Sequence, residues 1–109
     1  METAHTPYIY VGKYFYFEDQ SDTDSYYKNS IFIKSYDKDH ECFKCDFIWI
    51  HFDNEDDRIL NSSDADISNM SEYELLDFIQ GEHTKVAFLS TAEKHEELRQ
   101  ELNNNRYYE

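Results

Sequence analysis

Apolar and polar positions alternate from Tyr8 to Phe17. Ile9, Val11, Phe15 and Phe17 fall on one side, and Tyr8, Tyr10, Tyr14 and Tyr16 on the other. A period of two in aromatic and β-branched residues predicts a strand with a tyrosine stripe along one face. Gln20 to Asn29 is polar and reads as a loop. Ser30 to Tyr36 reads as a second strand and Lys38-Asp39-His40-Glu41 as a turn. Cys42 to Phe52 makes a third strand. Its segment Phe47-Ile48-Trp49-Ile50 is apolar on both faces, which predicts a central strand covered on each side.

The second half changes period. Asp53-Asn54-Glu55-Asp56-Asp57 breaks the strand pattern, and Arg58-Ile59-Leu60 adds at most a short strand. Ser71 with Glu74 forms a capping box, and Gly81 stands where a helix stops. Between them Tyr73, Leu75, Leu76, Phe78 and Ile79 form a helical apolar face, which predicts a helix from Glu72 to Gln80. Thr84 to Leu89 reads as a strand. Ser90 with Glu93 makes a second capping box, opening a helix to about Asn103 with Ala92, His95, Leu98 and Leu102 along one face. The order β-β-β-(β)-α-β-α predicts an α+β domain: a small, twisted, mainly antiparallel sheet of three to five strands packed with two helices. With two glycines and one proline, the turns must be built from Asp, Asn and Ser.

Composition narrows the class. At 109 residues a single domain spanning 1–109 is expected. Aromatic residues make 17% of the chain, which sets it apart from disordered acidic sequences. No apolar run approaches the roughly 18 residues of a membrane span. Residues 1–7 hold no basic region followed by an apolar run, so no secretory signal is expected; a cytoplasmic protein with reduced thiols is. The formal charge is −14, with 24 acids against 10 bases. Such a surface repels nucleic acid and anionic lipid, and its natural complement is a basic protein partner.

That charge is uneven. Residues 1–52 carry a net of −4, whereas 53–82 hold ten acids against one base, Arg58, a net of −9. A carboxylate-rich surface of this kind can imitate a phosphate backbone and occupy the basic site of a nuclease or nucleic-acid-binding protein, as inhibitor and immunity-like proteins do. The candidate contacts are Asp53, Glu55, Asp56, Asp57, Asp64, Asp66, Glu72, Glu74 and Asp77, with Tyr10 and Tyr14 as desolvated anchors. The plainer reading of a charge run is a solvated face that keeps the protein soluble. In that case an accessory interaction domain could bind through the tyrosine face, unless helices cover it.

Other chemistry is weaker. Asp53, Glu55, Asp57, Ile59, Asn61 and Asp64 match the ligand spacing of a divalent-cation loop over 53–64. However, Arg58 stands where such a loop needs glycine, and a strand precedes it where a helix should. Cys42 and Cys45 are three apart, so a strand points them to opposite faces, with Cys45 in the core beside Phe43 and Phe47. Glycines at positions 12 and 81 alone cannot build a phosphate loop, and no Gly-x-Ser-x-Gly elbow exists. His5, His40, His83 and His95 read as isolated surface residues, and His51 as a structural residue ending a buried strand. No catalytic residue, cofactor or metal site is expected.

Overall fold

The computed structural model describes residues 7–20, 23–80 and 88–105 of the chain. The chain folds as a five-stranded antiparallel sheet packed with two helices, an α+β architecture. The strands are β1 (Tyr14–Asp19), β2 (Ser25–Asp37), β3 (Cys42–Asp53), β4 (Ile59–Ser71) and β5 (Phe88–Ser90). The helices are α1 (Glu72–Gln80) and α2 (Ala92–Asn105). In the sheet the strands run β4-β3-β2-β1-β5. Gly81 and residues 84–87 lie outside the described residues, and so do His5 and His83.

Both faces of the sheet are covered, as the unbroken apolar run in β3 requires. On one face Phe15, Ile31, Ile33, Phe43, Cys45 and Phe47 pack with Met70 and with Leu75 and Ile79 of α1. On the other, Ile48, Ile50 and Phe52 meet Leu98 and Leu102 of α2. Burying each such large side chain contributes roughly 1.5–3 kcal/mol. α1 begins at the capping box expected for it: Glu74 N donates to Ser71 Oγ and Ser71 N to Glu74 Oε1, each at 3.1 Å.

Four elements depart from the sequence pattern, each for a local reason. Tyr8 to Phe17 is not one strand. Pro7–Tyr10 forms a 3-10 turn, and Gly12 at φ 83° bends the chain before β1 starts. That φ is open to glycine and strained for other residues. Tyr10 therefore lies against Phe15 and Phe43, ring centroids 6.5 and 6.0 Å away, on the α1 side. Tyr14 stacks on Phe32 at 4.3 Å, near His95 on the α2 side. The single-faced tyrosine stripe does not form.

The second departure is β2, which starts at Ser25 inside the segment expected to be a loop. Tyr26 and Tyr27 sit opposite Phe52 and His51, and their rings stack at 5.0 and 4.2 Å, so cross-strand pairing overrides the segment's polarity. Third, the short strand expected at 58–60 is the start of a thirteen-residue strand. Only a turn of 54–58 separates it from β3. Fourth, α2 is capped one residue later than expected. Lys94 N donates to Thr91 Oγ1 at 3.2 Å, so Thr91 and not Ser90 is the cap.

Candidate functional site

The turn between β3 and β4 is held by its own carboxylates. Asp53 Oδ1 accepts from Glu55 N at 2.8 Å and Asp56 Oδ1 from Arg58 N at 3.1 Å. Asp57 takes the left-handed φ of 57° that a glycine would otherwise supply. It also accepts from the Tyr26 hydroxyl at 2.8 Å. Burial, together with this bond and the charge of Asp57, pushes the Tyr26 phenol up to about 12. Glu55, Asp56 and Asp57 all stand exposed.

From the turn the acids continue along β4. Asp64 and Asp66 pair with Ile48 and Asp46 of β3, which places them on the α2 side. Asp66 takes Lys34 Nζ at 2.6 Å and Asp64 takes Arg99 Nη1 at 3.5 Å. The bond to Asp66 raises the Lys34 ammonium above its ordinary value. On α1, Glu74 belongs to the cap and Asp77 is exposed, while Glu72 is half-buried. The nine predicted acids thus follow one another from the turn through β4 onto α1. Tyr10 and Tyr14 do not join them. Among the described residues the exposed large hydrophobic side chains are Tyr8, Ile9, Leu60, Tyr73 and Leu89.

Two groups of residues escaped the sequence pattern. Glu93, Glu97 and Glu101, with Gln100 and Asn104, line one side of α2 and make a second acidic surface. Their helical spacing was the available signal. The other group is a buried polar network joining α2 to the sheet. His95, expected at the surface, is 4% exposed. Its Nδ1 lies 2.6 Å from Ser30 Oγ and its Nε2 2.9 Å from Asp46 Oδ2. The Asp46 carboxylate accepts from Nε2, which leaves Nδ1 facing the Ser30 hydroxyl. Arg99 also donates to Asp46. Burial pushes the Asp46 carboxyl up, but the His95 bond and the Arg99 charge outweigh it and hold the group below the usual Asp range.

Serine, histidine and aspartate stand here in the order of a hydrolytic relay. However, Ser30 is 0% exposed. A nucleophile needs a substrate carbonyl beside its oxygen, and no surface of Ser30 is open to one. What the network does is bind α2 to β2 and β3.

The cation loop does not close as its spacing suggests. Asn61 and Asp64 pair with His51 and Ile48, which lie on opposite faces of β3. Among the described residues no three His, Cys, Asp or Glu gather as a metal-holding group. Cys45 is buried with Phe43 and Phe47, and burial pushes its thiol up to about 12; Cys42 donates to the Ser68 carbonyl at 3.5 Å. No helix among the described residues is long and apolar enough to cross a membrane. Comparison with known families, curated proteins and solved structures finds no match.

Proposed function

We propose that the protein is a small acidic protein-binding module whose 53–82 surface occupies the basic site of a nucleic-acid-binding protein or nuclease. In its sharpest form it is an inhibitor or immunity-like protein acting by nucleic-acid mimicry, with no reaction of its own. It would act in the cytoplasm, where Cys42 and Cys45 stay reduced. The support is the layout of charge. Four of the nine carboxylates stand at or beside the turn that opens β4, Asp64 and Asp66 lie on the strand, and three follow on α1, so they are spread over roughly 40 Å of strand on a molecule 55 Å in its longest extent. A row of spaced anions meets a groove shaped for a phosphate backbone better than a single cluster does.

The test is charge reversal at two exposed ends of the row, Glu55→Lys with Asp77→Lys. Against the basic protein that the chain captures, the double variant should associate about tenfold more slowly at low salt, with a flatter salt dependence. Unchanged affinity and salt slope would remove the acidic surface from the contact.

A further inference from the structure

The strand that links the acidic turn to α1, and carries Asp64 and Asp66, is also an edge of the sheet. Among the described residues β4 pairs with β3 alone. From Asn61 to Ile67 it matches His51 to Cys45 residue for residue, and this stretch is bracketed by irregularities at Leu60 and at Ser68-Asn69. Seven regular residues offer about 24 Å of outward backbone. Edges are commonly blunted by lysine, proline or bulges; β4 has neither lysine nor proline, and its bulges lie outside 61–67, so this stretch is the open part of the edge.

Its side chains choose among possible occupants. Asp64 and Asp66 lie on the α2 side, while Ser63, Ala65 and Ile67 lie on the other. A second copy of β4 would bring like charges alongside each other, which disfavours self-pairing. A strand with bases at alternate positions gains instead. The Asp66 side chain is 74% exposed even with Lys34 bonded to Oδ1, so it can take a second cation.

We infer that β4 is a docking edge. An extended segment of the basic partner, alternating Lys or Arg with apolar residues, adds as a sixth strand along Asn61–Ile67. This rests on the acidic-surface reading and specifies how the partner is held: main-chain bonds supply affinity, and the exposed Asp66 selects a basic position, while Asp64 stays paired with Arg99.

Two blocked heptapeptides test it with the intact chain. Lys-Val-Lys-Val-Lys-Val-Lys can form a strand, whereas Lys-Pro-Lys-Pro-Lys-Pro-Lys has the same charge but lacks alternate donors and resists the strand conformation. The valine peptide should bind at least about tenfold more tightly, and at saturation it should slow hydrogen exchange at alternate amides within 61–67. If both peptides bind equally, salt-sensitively and without protecting those amides, the edge inference falls and the acidic-surface reading stands. If neither binds, the edge inference falls, and an unchanged salt slope in the charge-reversed variant would take the acidic-surface reading with it.

Discussion

At the scale of single residues, this chain substitutes carboxylates for glycines. Glu41 at φ 53° and Asp57 at φ 57° occupy the left-handed region that glycine enters without strain. Asp57 is compensated by its bond from Tyr26. Glu41→Gly should therefore raise stability by about 1 kcal/mol, read as a higher urea midpoint at unchanged slope. A lower midpoint would mean that Glu41 holds the turn by its side chain. The Asp46 carboxyl makes a pH prediction. It ionises more readily folded than unfolded, so its contribution is complete above the ordinary Asp range and is lost as pH falls through and below about 4. Asp46→Asn should remove part of the acid sensitivity seen in urea titrations. Equal sensitivity in the variant would move the effect to groups such as Asp37, whose carboxyl the bond from His40 also holds low. His95→Ala leaves Asp46 and Ser30 short of a partner beneath α2 and should cost about 3 kcal/mol. None of this was visible in the sequence, because Ser30 and Asp46 lie 65 and 49 residues from His95 and meet it only through the fold.

At the scale of elements, legibility followed burial. β3 was readable because both its faces are buried, and α1 because a capping box precedes its apolar stripe. β4 was not. Asn61-Ser62-Ser63-Asp64-Ala65-Asp66 shows no apolar alternation, since an edge strand can face water with most of its side chains and is held by its ladder to β3. The tyrosine repeat misled for the opposite reason: its alternation was genuine, but the bend at Gly12 divided it between a turn and a strand. The cap of α2 tests this reading directly. Thr91→Ala should cost about 1 kcal/mol, while Ser90→Ala, one residue outside the cap, should cost little. The reverse ranking in thermal unfolding would restore the Ser90–Glu93 box.

At the scale of the whole molecule, α1 and α2 cover opposite faces of the sheet, and the acids of 53–77 lie on the edge strand and on the turn and helix that flank it. The charge asymmetry of 53–82 was legible from composition alone. Its layout was not, because a run expected to form a loop is instead a tight turn followed by a long strand. That difference bears on the proposed function: Asp64 and Asp66, fixed on a strand, would keep their spacing before a partner arrived, which would lower the ordering cost of binding. The measurement that tests the central claim most directly is capture of partners by the tagged chain from its source lysate, washed at low and at about 0.5 M salt, where screening reaches within a few Å. The account predicts one basic nucleic-acid-binding protein, retained at low salt, released at high salt and displaced by double-stranded DNA. A partner that survives high salt and ignores DNA, or no stoichiometric partner in either wash, would contradict it.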